Sequence, residues 1–227
     1  MKKLEDMSLS DRAYEALRED IIAGRFQPGK KITIASLSKE FGVSPTPVRE
    51  AIRLLLAQGA LDLKPNHSVT VVALTADEYR EIARIRIELE GMAAAEAAIL
   101  RTEAQAKRLR KINDDLEAAR AKGRYADVLR RNRAFHFALP EMARLSTLTD
   151  VLEMLWLRSG PLLNVLYDYD YDYRSPLGDH PHEALVDAIE RQDSEVARAA
   201  IQRDIQLGTE VITAHLDRLE APARSAS

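Results

Sequence analysis

The sequence predicts a mainly α protein in two parts: a small helical domain closed by a β-hairpin, then an all-α antiparallel helical bundle. Three observations lead there. Alanine, leucine, arginine and glutamate dominate the 227 residues, which favours helix over sheet. Up to about Ala57 apolar residues recur at helical spacing between glycine and proline breaks, and from Leu61 to Val72 they shift towards alternation. From Thr75 onward no convincing strand pattern returns.

The first helix is expected from about Ser10 to Ala23, with Ala13, Leu17, Ile21 and Ile22 as its inward stripe and Gly24 as its stop. Pro28-Gly29 marks a turn. A second helix is expected from about Ile34 to Phe41, burying Leu37 and Phe41 and ending at Gly42. Ser44 is the expected cap of a third helix whose first turn holds Pro45 and Pro47. Val48, Ile52 and Leu55 face inward there, while Thr46, Arg49 and Arg53 share the outer face. Beyond Gly59, Leu61 and Leu63, then Val69, Val71 and Val72, read as two short strands around a polar tip. Three helices followed by a hairpin is the winged helix-turn-helix plan, and its exposed arginines suit a DNA groove.

In the remainder, helices are expected at about 76–100, 103–122, 124–139, 146–158, 181–192 and 194–219. Thr75 is a candidate cap, with Asp77 and Glu78 complementing the positive helix end, and Asp193 or Ser194 caps the last helix. The alternating run Tyr167 to Tyr173 reads as an acidic connecting loop, or as a lid that lends tyrosine hydroxyls to a pocket. The expected division is a DNA-binding domain over 1–74, an effector-binding and dimerisation domain over 75–220, and a flexible tail over 221–227.

Charge agrees with that division. Residues 1–74 carry 11 Lys+Arg against 9 Asp+Glu, a balance of +2, whereas the rest carries 22 against 27, a balance of −5. The chain has no cysteine, which excludes disulfides, thiolate chemistry and cysteine-bound zinc. No signal-peptide core and no apolar run of membrane-spanning length is present, so a cytoplasmic protein without a membrane partner is expected.

The segment Arg12 to Thr75 resembles the winged-helix domain of GntR-type bacterial transcription regulators. The residues that carry the resemblance are Leu17 to Arg25, Pro28-Gly29, the run Leu37 to Arg53, and Pro65-Asn66 in the wing. The helical remainder resembles the ligand-sensing FCD domain of the FadR subgroup, through Arg86 to Ala94, Phe135-His136, and His182 to Ile189. The resemblance implies a ligand-responsive transcription regulator, a repressor in many relatives, that binds near-palindromic operator DNA as a homodimer. Ser44 and Thr46 would then offer hydroxyls to a phosphate at the helix amino end. Arg49 would read a guanine edge, and Arg53 would hold a phosphate or pair with Glu50. In the wing, Asn66 and His67 are the candidate contacts, although the family often has arginine and glycine where this chain has His67 and Ser68. Lys30, Lys31 and Lys64 are generic phosphate candidates.

Asn132 and His136 stand four apart and so share a helix face, while His182 opens a later helix and Asp204 lies midway along the last. Metal-binding members of the family join an aspartate and a histidine from one helix to two later histidines. Transferred here, the set becomes Asn132, His136, His182 and Asp204, with a carboxylate moved from one end of the site to the other. Two imidazoles, a carboxylate and an amide oxygen suit zinc first, then nickel, manganese or iron, over calcium. A polar pocket without metal is the alternative, and His180 is a weaker rival of His182. A small carboxylate effector is expected at such a centre, with Arg86 as its bidentate partner; otherwise Arg86 pairs with Glu90 on its own helix. Arg130 and Arg133 rank behind it. A metal-dependent enzyme is the contrasting reading, but no clear general base accompanies the set; a DNA-binding protein with a purely structural metal is another.

Overall fold

The computed structural model describes residues 7–65, 67–168 and 181–224. The chain divides into two compact units, Met1–Leu74 with Trp156–Leu162, and Thr75–Leu155 with Leu163–Ser227.

The first unit contains α1 (Leu9–Ile22), β1 (Lys31–Ile32), α2 (Ile34–Phe41), α3 (Pro45–Ala57), β2 (Leu61–Leu63) and β3 (Val69–Val71). A capping box starts α1: the Ser8 hydroxyl accepts the Asp11 N–H at 3.1 Å, and the Asp11 carboxylate accepts the Ser8 N–H at 3.1 Å. Thr33 caps α2 by accepting from the Ser36 N–H at 3.2 Å, and Gly42 ends it in the left-handed region at φ 65°. The strands pair antiparallel in the order β1-β3-β2, with Lys31 opposite Thr70 and Leu61 opposite Val71. β1 was not anticipated, because two residues are too few to display a period.

One departure concerns the start of α3. Ser44 occupies the cap position with extended backbone, but its hydroxyl makes no capping bond. The third helical residue is Pro47, which has no N–H, so one of the two usual partners of a capping oxygen does not exist here, and the other, the Thr46 N–H, is not used.

Leu17, Ile21, Leu37, Val48, Leu55 and Val71 build the core of this unit. Phe41, expected inside, is only partly buried against it. Leu157 belongs to the same core, although its sequence position falls within the run of bundle helices. The chain fits closely there: a Cβ added to Gly160 would lie 3.0 Å from the Ile22 carbonyl oxygen.

The second unit is built from α4 (Ala76–Leu100), α5 (Glu103–Ala121), α6 (Tyr125–Met142), α7 (Ser146–Ser159, its last turn falling to the first unit), α8 (Val165–Asp168), α9 (Pro181–Arg191) and α10 (Ser194–Arg224). A 3-10 turn over Gly160–Asn164 precedes α8, and neither was expected from sequence. Capping boxes at Thr75 and Thr102 start α4 and α5. The alanine-rich face of α4 lets α10 approach closely, so that a Cβ on Gly91 would come within 2.9 Å of the Gln202 side chain. The Arg110 guanidinium ties α5 to α9 by reaching Glu183, Asp187 and Glu190 at 2.6–2.8 Å. Arg101 secures the end of α9 through the carbonyls of Ile189 and Glu190, at 3.3 and 2.7 Å.

α10 runs to Arg224, past its expected end, so 221–224 are helical; 225–227 lie outside the described residues. Positions 169–173 of the tyrosine-aspartate run and His180 also lie outside them. Among the described residues, no helix is long and apolar enough to cross a membrane.

Candidate functional site

In the first unit, α3 turns Val48, Ile52 and Leu55 into the core and leaves Ser44, Thr46, Arg49 and Arg53 exposed. The helix has no acidic residue in its first turn, so nothing there opposes an approaching phosphate. Arg53 lies 3.9 Å from Glu50, a long pair between exposed side chains that contributes little. Lys64, in the wing, pairs with Asp62 at 3.4 Å. His67 is exposed at the wing turn with φ 58°, a left-handed conformation that few non-glycine residues adopt. Asn66 lies outside the described residues.

In the second unit, α6, α9 and α10 bring His136, His182 and Asp204 together. Their donor atoms lie within 4.8 Å of one another, and all three residues are buried. The Nε2 atoms of His136 and His182 face different oxygens of the same carboxylate, each at 3.3 Å from Asp204. Phe135 stacks on His182 with ring centroids 4.1 Å apart and planes 21° apart, which restricts rotation of that imidazole. Asn132 stands one turn before His136 on α6 and is half-buried. Two nitrogens and a carboxylate oxygen, desolvated and converging, fit a borderline transition metal by donor chemistry.

The helix α4 adds two groups. The Nε of Arg86 donates to Glu90 Oε1 at 2.7 Å, and Glu90 Oε2 lies 2.5 Å from Nδ1 of His136. The ion pair with Glu90 weighed for Arg86 from sequence is therefore present. The engagement of Glu90 with His136 was not foreseen, because its partner lies 46 residues away. A signal existed: Tyr79, Ala83, Arg86, Glu90, Ala93 and Ala97 follow core spacing, which puts two charged residues on the buried stripe of α4. Of the lower-ranked arginines, Arg130 pairs with Asp127, and Arg133 reaches Glu153 at 3.5 Å.

Alternating charges shape the electrostatics. Burial is the largest single influence on Glu90 and works against its charge, yet Arg86 and His136 outweigh it and bring the carboxyl down to about 2. Burial likewise works against charge on His136, but Glu90 and Asp204 outweigh it and raise the imidazole to about 9. Asp204 is held well below the usual carboxylate range: burial opposes its charge, and His182 and His136 overcome that opposition.

Comparison with known proteins agrees with both halves. Residues 9–71 match the model of the bacterial regulatory proteins of the gntR family, and residues 81–207, more than half of the chain, match the FCD domain. The chain is 29% identical over 218 residues to the HTH-type transcriptional regulator McbR of Escherichia coli K12, covering 95% of this chain and 98% of McbR. It is 25% identical over 200 residues to the HTH-type transcriptional repressor RspR of the same organism, covering 87% and 86%. The solved structure of E. coli McbR/YncC superposes with a TM-score of 0.84, covering 92% of this chain and 99% of that one. A GntR transcriptional regulator from Rhodococcus sp. RHA1, 20% identical with a TM-score of 0.76, shares the fold. The relatives are transcription regulators, not enzymes. This chain belongs to the gntR family of DNA-binding bacterial transcription regulators, in the branch that carries an FCD domain.

Proposed function

We propose that the protein is a homodimeric, cytoplasmic repressor whose affinity for operator DNA is set by a small carboxylate effector bound at a divalent metal. The DNA half divides its work between Arg49, which reads a base edge, and Ser44, Thr46, Arg53, Asn66 and His67, which position the helix and wing on phosphates and the groove. The sensing half uses His136, His182 and Asp204 as metal donors, with Asn132 as a fourth, and zinc as the first candidate. When bound, the ion would act as a Lewis acid that attracts an anionic effector. Arg86 would share its guanidinium between Glu90 and the effector carboxylate.

The observation that carries the sensing half is the buried convergence of two Nε2 atoms on one carboxylate. For such a site to regulate, the effector must bind the DNA-competent and DNA-incompetent arrangements unequally. Repression as the sign of control is supported by the relative RspR, itself a repressor.

A second reading is favoured by the chain Arg86, Glu90, His136, Asp204, whose alternating charges compensate one another without an ion. In that reading the cluster is a polar, metal-free core.

The deciding experiment recovers operator DNA from a random pool with the purified protein, then measures affinity for it with and without zinc across a panel of small carboxylic acids. A zinc-dependent change caused by one acid is expected. Affinity indifferent to both zinc and every acid would overturn the sensing half and leave the DNA half standing.

A further inference from the structure

The carboxylate of Glu90 is fully buried and engaged at both oxygens, by Arg86 on its own helix and by His136 on α6. An imidazole has two nitrogens, and a metal takes the one that carries no proton. The hydrogen-bond partner of the other nitrogen therefore decides which one is offered. In His136 the two have different neighbours: Nδ1 meets Glu90 Oε2 at 2.5 Å, while Nε2 looks to Asp204 at 3.3 Å.

We propose that Glu90 is the positioning residue of the candidate metal centre: it holds the Nδ1 proton of His136, so that Nε2 is presented toward Asp204 and His182. Arg86 anchors Glu90 from the opposite oxygen and fixes the direction of that hydrogen bond. His136 alone turns about its side-chain bonds and offers either nitrogen; with both ends of Glu90 tethered, one tautomer and one ring angle remain. The arrangement gives Arg86 a duty independent of any effector. It also explains why an arginine and a glutamate occupy the buried stripe of α4, where apolar residues would otherwise pack. The inference rests on the reading of His136, His182 and Asp204 as metal donors.

The test is zinc binding to the full-length protein, measured by competition with a chromophoric chelator, with cobalt absorption as a second readout. Glu90→Gln keeps the shape but sets an amide against Arg86 and His136. It should weaken zinc binding by about 10- to 100-fold and alter the cobalt spectrum. Glu90→Asp retains the charge at shorter reach and should recover part of the affinity. Nitrogen-15 NMR of the zinc-loaded wild type should show His136 protonated at Nδ1 and metallated at Nε2, a readout that does not depend on any variant folding. Metallation at Nδ1, or equal affinity and an unchanged cobalt spectrum in Glu90→Gln, overturns the role of Glu90 alone. A wild type that takes up neither zinc nor cobalt overturns the metal reading and the role of Glu90 together.

Discussion

The imidazoles of His136 and His182 meet edge to face, with ring centroids 5.6 Å apart and planes 74° apart. Crossed rings let both Nε2 atoms reach one point beside Asp204 without the rings colliding. If that point holds a metal, removing both imidazoles leaves the Asp204 carboxylate and at most the Asn132 amide, too few ligands for a closed site. The double variant His136→Ala with His182→Ala is therefore expected to purify without stoichiometric zinc, whereas the wild type retains it. Elemental analysis of the two preparations decides, and full occupancy in the double variant contradicts the assignment.

Stability of the metal-free protein should depend on pH in a defined direction. His136 is raised from the ordinary 6.5 to about 9, so the stability it contributes is complete below 6.5 and lost as pH rises through 9. Glu90 is lowered from 4.5 to about 2, so its contribution is complete above 4.5 and lost as pH falls towards 2. Both act through one shared contact, which is counted once. The metal-free protein is thus expected to be most stable between about pH 4.5 and 6.5 as far as this pair decides. With metal, ligation displaces the Nε2 proton of the His136 imidazolium while Nδ1 keeps its own, so affinity rises with pH and the alkaline loss shrinks. Denaturant melts with and without chelator between pH 5 and 9.5 test this; an alkaline limb that ignores the chelator would count against it.

The features visible in the sequence were those with local causes. Gly24, Gly42 and Gly59 end elements because left-handed backbone is cheap for glycine, and all three have φ between 65° and 69°. The stripe of Leu17 and Ile21 announced α1, and a helical period announced α4 through α7. What stayed hidden depends on residues far apart in the chain. Glu90 meets His136 across 46 positions, and Leu157 enters a core otherwise made by residues before 75. No periodicity encodes such meetings. His136, His182 and Asp204 were named together through resemblance, since spacing alone does not say that α6, α9 and α10 converge.

Ser44 illustrates a local rule that another local rule cancels. Replacing a capping serine by alanine usually costs about 0.5–2 kcal/mol. Here the hydroxyl makes no capping bond, and Pro47 removes the N–H of the third helical position, so Ser44→Ala should change stability by less than about 0.5 kcal/mol. If the hydroxyl instead serves a phosphate, the same variant loses affinity for all DNA sequences alike. A clear drop in melting temperature would show that the hydroxyl does cap α3 in solution.

Arg49 should behave differently from Ser44 on DNA. It is exposed on the outer face of α3, where a guanidinium can span the two acceptors of a guanine edge. Arg49→Ala is expected to weaken binding to the selected operator by about 1–3 kcal/mol, roughly 5- to 150-fold, and to relax the preference at one base pair. Anisotropy titrations against the operator and against operators changed one pair at a time separate this from phosphate loss. Uniform weakening across all of them would reassign Arg49 to the backbone.

Leu157 provides the sharpest check on the composition of the first unit. Its side chain is 1% exposed and shares a core with Leu17, Leu55 and Val71, although it lies more than 80 positions beyond Val71 in the chain. Cutting a buried leucine back to alanine removes transfer energy and leaves a cavity, typically at a cost of about 2–5 kcal/mol. Leu157→Ala should then lower hydrogen-exchange protection in α1 and α3, the helices that line the same core. Leu17→Ala serves as the yardstick, since it deletes an equal volume from that core at a residue whose membership was legible from sequence. If Leu157→Ala leaves α1 and α3 as protected as the wild type while Leu17→Ala does not, the segment Trp156–Leu162 contributes no stability to the DNA-binding unit.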